Sequence, residues 1–169
     1  GNAGATSFFP AKPLGCYGDG GMVFTDNDQL EKLLRSLMVH GQGENKYENV
    51  RIGINGRLDA MQAAVLLAKF PYFEQEIKNR NRVAAYYSHN LKEYVTVPYV
   101  KPENTSVFAQ YCIRSLNRES IIKSLKKHDI PTAIYYPVPL HLQKAFDELG
   151  YKSGDFPVSE NVSREIFAL

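Results

Sequence analysis

The feature that most restricts the fold is a run of apolar residues at helical spacing in the middle of the chain. Phe73, Ile77, Ala84, Tyr87, Leu91 and Tyr94 follow one another at steps of three, four or seven. Continuous from Tyr72 to Tyr94, such a helix is roughly 35 Å long. That exceeds most helices of a single globular domain and suits a connector between two lobes. The sequence on its two sides differs in rhythm, as a connector requires.

Before it, Thr6–Phe9 and Met22–Thr25 read as short strands around a turn rich in proline and glycine. Asp26, three residues before Gln29, makes a helix-capping pair. Leu30, Leu33, Leu34, Leu37 and Met38 then take helical spacing and are expected in the core, with Gly41 or Gly43 as the stop. Asp59 caps a further helix, 60–70, which Pro71 closes. After the connector, 95–100, 107–114 and 132–136 read as strands. Residues 118–128 (with Asn117 as cap), 142–149 and 159–169 read as helices. Strands and helices in that order describe a small α+β lobe.

Composition narrows the function classes. The 169 residues are 44% hydrophobic and 22% charged, which allows a real core. Twenty basic residues against 18 acidic ones leave +2, with no basic block that would ask for nucleic acid. The longest mostly apolar stretch, 60–73, is too short to span a bilayer, and no signal peptide is visible. Cys16 and Cys112 are read as reduced thiols, so a cytoplasmic protein is expected. Asn104 and Asn161 sit in chance glycosylation patterns. His40, His89, His128 and His141 are too scattered for a metal site.

One segment carries chemistry. In Ser7-Phe8-Phe9-Pro10-Ala11-Lys12-Pro13-Leu14-Gly15 a lysine lies between two prolines and near two phenylalanines. The fixed φ angles of Pro10 and Pro13 set where its stem leaves the chain. Apolar neighbours disfavour the ammonium and favour a nucleophilic amine, able to form an imine with an aldehyde. Ser7 could offer a hydroxyl to a phosphate on the same ligand. On the residues alone, a solvated lysine in a proline-rich turn is the favoured reading, because most lysines are surface residues.

The stretch Ser7–Gly21 resembles the lysine segment of the DegT/DnrJ/EryC1/StrS nucleotide-sugar aminotransferases, pyridoxal-phosphate enzymes of fold type I. The resemblance continues in order through His40-Gly41-Gln42, Gly53-Ile54-Asn55-Gly56-Arg57-Leu58-Asp59, Gln62-Ala63-Ala64 and Tyr135-Tyr136-Pro137-Val138-Pro139-Leu140-His141. Within the family it looks most like the enzymes that aminate the 3-keto group of a UDP-linked N-acetylated uronic acid.

The resemblance implies an α/β fold in three parts. Residues 1–71 would be the C-terminal portion of the large cofactor-binding domain, 72–94 a long connecting helix, and 95–169 a small α+β domain incomplete at its end. It implies pyridoxal 5′-phosphate held by Lys12, which would also move the proton between carbons. Ser7 would bind the cofactor phosphate. Asn55 would reach the phosphate of a neighbouring subunit's cofactor, which makes a homodimer the expected state. Arg57 would meet a substrate carboxylate with its planar fork. His141 and Tyr135 would approach the sugar nucleotide.

The family's aspartate for the pyridine nitrogen, its stacking ring and most of its phosphate-binding turn have no counterpart here. The chain is therefore expected to be an internal half of a longer enzyme, inactive alone, with apolar surface left uncovered. The implied activity moves an amino group, from glutamate, to a keto-sugar nucleotide for polysaccharide or glycan precursors. The alternatives are a sensor or structural homologue that binds without turnover, and a sugar dehydratase working with pyridoxamine phosphate. Lys12 argues against the second, because a histidine stands there in such enzymes.

Overall fold

The computed structural model describes residues 1–169 and divides into two compact units, Gly1–Glu76 and Ile77–Leu169. No helix is long and apolar enough to cross a membrane.

In the first unit, β1 (Gly4–Ser7) and β2 (Gly21–Phe24) form an antiparallel pair in the register Gly4 opposite Phe24 and Ser7 opposite Gly21. Both strands are exposed along their length, Met22, Val23 and Phe24 included. The segment between them folds back onto a small core of Phe8, Cys16 and Leu66, bordered by Leu14, Leu58 and Val65. Gly20 packs closely against this core. A Cβ there would sit 2.9 Å from Leu58 Cδ1 and 3.0 Å from Cys16 Sγ.

Helix α1 (Asp28–Met38) starts one residue later than the Asp26 pairing predicts. Asn27 is the cap, its Oδ1 accepting from the N–H groups of Gln29 and Leu30 at 3.0 Å each. Those are two of the four donors a helix start leaves free. Asp28 and Glu31 in the first turn and Arg35 in the last agree with the helix dipole. None of the leucines expected in the core is buried: Leu33 is exposed, and Leu30, Leu34 and Leu37 are half-buried. At the far end the chain 54–56 supplies what a cap would. Ile54 N–H donates to the Leu37 carbonyl and Gly56 N–H to the Met38 carbonyl, each at 2.8 Å.

The helices expected at 60–70 and 72–94 are one helix, α2 (Ala60–Leu91), with Pro71 inside it. Its 32 residues make it about 48 Å long. Pro71 removes one ladder bond, at a local cost of about 3 kcal/mol. The strong helix formers on both sides carry the ladder through. Tyr94 lies beyond the helix and is exposed.

The second unit is organised on β3 (Cys112–Arg114) and β4 (Ile166–Ala168), antiparallel, with Ile113 opposite Phe167. A single bridge widens the ladder on each side, Thr96 to Arg114 and Ala133 to Ala168. The three longer strands predicted at 95–100, 107–114 and 132–136 thus shrink to two bridges and one short strand. Pro98 lacks the N–H that a ladder would use, and Pro131 and Pro137 do the same beside Ala133. Tyr111, Ile113, Ala84 and Phe167 are the buried centre, ringed by Tyr87, Leu91, Ile121, Leu125 and Ile134 among others. The Tyr111 hydroxyl shares a 2.8 Å hydrogen bond with Ser88 Oγ, which keeps the one polar atom of that cluster satisfied.

Helix α3 (Arg118–Lys126) follows β3; Asn117 precedes it without a side-chain capping bond. The predicted helix at 142–149 is two 3-10 stretches, Leu140–Leu142 and Lys144–Leu149. The predicted helix at 159–169 is α4 (Pro157–Glu165), Pro157 occupying its first turn, followed directly by β4. Ile166, Phe167 and Ala168 go extended because β3 offers them a ladder and the core an apolar seat. Arg118 closes the corner: its Nη1 donates to the carbonyls of Ser163 (2.7 Å) and Ile166 (3.4 Å).

Candidate active site

The Lys12 turn is closed by its own backbone. Lys12 N–H donates to the Phe9 carbonyl at 2.8 Å, and the Phe8 carbonyl accepts both the N–H (2.8 Å) and the Sγ–H (3.0 Å) of Cys16. Gly15 sits under the turn, where a Cβ would come within 2.7 Å of the Pro10 oxygen and 2.8 Å of the Phe9 oxygen. Lys12 itself is exposed, and its ammonium has no hydrogen-bond or ion-pair partner. Of the two phenylalanines expected to dry it, Phe8 is buried in the core and Phe9 is 49% exposed. Within this chain, therefore, they do not enclose the amine.

Ser7 Oγ accepts the Phe9 N–H at 3.2 Å. Its own O–H remains free to donate, as a phosphate would need. A second pair stands at the C-terminal end of α1. Asn55 is held between the two backbone bonds of Ile54 and Gly56 described above. Its Oδ1 accepts from Arg57 Nε at 3.1 Å, so the amide NH₂ is left as a donor. Both side chains are exposed. Ser7 with Lys12, and Asn55 with Arg57, are thus two local constellations; no hydrogen bond joins them. Each presents donors and positive charge, the chemistry a phosphate or carboxylate selects.

In the second unit Tyr135 and His141 part company. Tyr135 lines a cavity of about 490 Å³ with Tyr136, Leu140, Ser159, Val162 and Ile166. The lining carries no charged side chain. His141 is not part of it. Its Nε2 donates to Glu160 Oε1 at 3.1 Å, and both side chains are more than nine-tenths buried. Glu160 also accepts from Gly154 N–H (2.8 Å), Phe156 N–H (3.4 Å) and the Ser153 hydroxyl (3.2 Å). The Gly154 N–H holds this carboxyl below the usual range, with His141, Phe156 and Ser153 adding to it against the opposing effect of burial. No cluster of side chains suits a metal ion.

Lys69 and Glu160 have no assigned role in the sequence, and Gln62 enters there only as part of the Gln62-Ala63-Ala64 motif. Gln62 Oε1 accepts the Tyr17 N–H at 2.8 Å; Lys69 Nζ donates to the Gly15 carbonyl at 2.6 Å and lies 4.9 Å from the Tyr17 ring centre. Beyond the motif that holds Gln62, the signal linking it to Lys69 is a seven-residue spacing on one helix face.

With this geometry in hand, the relatives give it a class. The fold matches the crystal structure of a DegT DnrJ EryC1 StrS aminotransferase from Brucella abortus, TM-score 0.95 at 50% identity, covering all of this chain and 45% of that one. It is the α/β fold of those aminotransferases. The chain belongs to the DegT/DnrJ/EryC1/StrS aminotransferase family, whose pattern matches residues 1–169. It is 45% identical over 165 residues to the UDP-2-acetamido-2-deoxy-3-oxo-D-glucuronate aminotransferase of Pseudomonas aeruginosa, covering 97% of this chain and 45% of that protein. It is 43% identical over 173 residues to the pleiotropic regulatory protein of Geobacillus stearothermophilus, covering 100% of this chain and 46% of that protein. The chain spans about half the length of the curated relatives it matches.

Proposed function

We propose that this chain carries the lysine turn of a cytoplasmic pyridoxal-phosphate aminotransferase that acts on a UDP-linked keto-sugar, with glutamate as donor, in the supply of glycan precursors. The observation that carries it is the Ser7–Lys12 turn, with one unpartnered amine and one unspent hydroxyl on a closed backbone loop. Family membership and the uronate aminotransferase relative support the substrate class.

The residues fit the cofactor. When bound, pyridoxal phosphate supplies an electron sink that acidifies the C–H bond beside the reacting nitrogen. Lys12 would hold it covalently and then, as a free amine, take and return that proton. Ser7, whose Oγ already accepts the Phe9 N–H, would donate its O–H to a phosphate oxygen. The Asn55 NH₂ is a second phosphate donor, offered to the site of a partner subunit in a homodimer. Arg57, anchored by one nitrogen on Asn55, keeps its two terminal nitrogens for a substrate carboxylate.

The test is the full-length protein loaded with cofactor. A visible absorption band, lost on borohydride reduction and absent in Lys12→Ala, is expected together with amino transfer from glutamate to a UDP-3-keto-uronate. A band that persists in Lys12→Ala removes Lys12 from the role. The regulatory relative at 43% identity favours a second reading, binding without turnover. Tight cofactor binding with no spectral change on adding glutamate would select it.

A further inference from the structure

We propose that Lys69 is a positioning residue for Lys12: from helix α2 it holds the exit leg of the lysine turn and so sets the direction in which the Lys12 side chain leaves the backbone. The inference rests on the aminotransferase reading for the meaning of Lys12, and on the first unit alone for its geometry.

Three residues of α2, Gln62, Leu66 and Lys69, follow at steps of four and three and share one helix face. Each meets the lysine turn differently. Leu66 is buried against Phe8 and Cys16 at the base. Gln62 takes the Tyr17 N–H at 2.8 Å. Lys69 reaches the Gly15 carbonyl at 2.6 Å while its ammonium lies over the Tyr17 ring. The turn is therefore gripped on both sides of Cys16, at Gly15 and at Tyr17.

Gly15 is the sensitive point of that grip. It is buried, and the carbonyls of Phe9, Pro10 and Lys12 crowd the place where its side chain would be. The Gly15 backbone is thus packed against the oxygens of the lysine turn, the Lys12 carbonyl among them, and a shift at Gly15 bears on them. A charge-assisted hydrogen bond to the Gly15 oxygen is the strongest polar restraint on that peptide. The Tyr17 ring keeps the ammonium in place by a cation–π contact. Lys69 bonds the Gly15 carbonyl and not the Lys12 amine, and so acts through the Gly15 backbone.

The experiment compares full-length Lys69→Met and Lys69→Arg. In the cofactor-free proteins, amide hydrogen exchange at Cys16 and Tyr17 is expected to rise about tenfold in Lys69→Met, the loss of one hydrogen bond. In the loaded enzymes, kcat is expected to fall about 10- to 100-fold in Lys69→Met, as for a reacting group displaced by an ångström, with KM for glutamate within about twofold. The pH titration of the visible band moves with it. Lys69→Arg, which can both bond the carbonyl and stack on Tyr17, restores kcat to within about fivefold. A folded Lys69→Met with the exchange, band titration and kcat of the wild type overturns the proposal. Should Lys69→Met not fold, Tyr17→Leu removes only the ring beneath the ammonium. A lowered kcat at unchanged KM then supports the proposal, and wild-type kcat overturns it. If the wild type neither binds cofactor nor transfers an amino group, the functional reading falls, while exchange at Cys16 and Tyr17 still decides whether Lys69 holds the turn.

Discussion

Glu160 and His141 form a buried pair, 3.1 Å from Oε1 to Nε2, that pins the loop after Pro139 to the first turns of α4. The carboxylate is the hub, gathering Ser153, Gly154 and Phe156 as well. Its ring partner is packed in turn on Phe156, centroids 4.8 Å apart. Acid should therefore undo this corner. The folded-state carboxyl is held below its ordinary value, chiefly by the Gly154 N–H. Its stabilising effect is full above the unfolded carboxyl's value and is lost as pH falls through the lowered folded one. Urea midpoints measured across the acid range should fall more steeply for the wild type than for Glu160→Gln, and the two curves should converge at the acid end. Parallel curves would show that Glu160 does not supply the acid sensitivity.

Ser7→Ala removes a hydroxyl whose acceptor side is used by Phe9 and whose donor side is open. A lost hydrogen bond to a charged group is about 1.5–3 kcal/mol. Cofactor affinity of the full-length protein, read by titration of the visible band, should fall about 10- to 100-fold, with the band position unchanged. Unaltered affinity would free Ser7 of phosphate binding.

Gly53→Ala tests how Asn55 is placed. A Cβ at 53 would come within 2.6 Å of the Leu37 carbonyl oxygen and of the His40 carbonyl carbon, and collide with the Gly41 nitrogen. Gly41 itself holds a positive φ of 77°. Overpacking of this kind costs about 1–3 kcal/mol, which the denaturation midpoint should show. The displaced 54–56 segment should weaken cofactor binding at the same time.

Phe167→Ala empties a site that is 0% exposed at the centre of the second unit. The expected loss is about 3–5 kcal/mol, measured by chemical denaturation. Leu169, at the rim of the same cluster, should be far more tolerant.

What could be read before folding divides by the range of the interactions involved. β2, α1 and α3 are legible because their signals are local, apolar residues at strand or helical spacing between turn residues, whereas β1 lies two residues before the expected 6–9 and the cap of α1 is Asn27 rather than Asp26. Ser7 and Lys12 stand five residues apart in one turn, but their roles are implied by the ordered motifs of the resemblance and not by local spacing. Pro71 misled because proline's penalty is local while the helix that absorbs it is not. Pro98, Pro131 and Pro137 misled in the other direction, hidden inside runs whose composition favours strands. Residues 166–168 read as helix until β3, more than fifty residues earlier, claims them. Gln62, Lys69 and Glu160 are ordinary surface types in sequence. Only contacts across 45 and 54 positions, or a carboxylate folded into its own loop, give them work.

The corner between α4 and β4 contains no glycine and no left-handed residue; Ile166 is simply extended, with φ −79° and ψ 140°. Helix exits of that kind leave carbonyls without partners, and here a guanidinium from α3 answers them. The last strand is thus moored by a side chain belonging to a helix it does not pair with. Replacing Arg118 would loosen β4 from β3 while every residue of the ladder stayed native, a pairing governed from a distance.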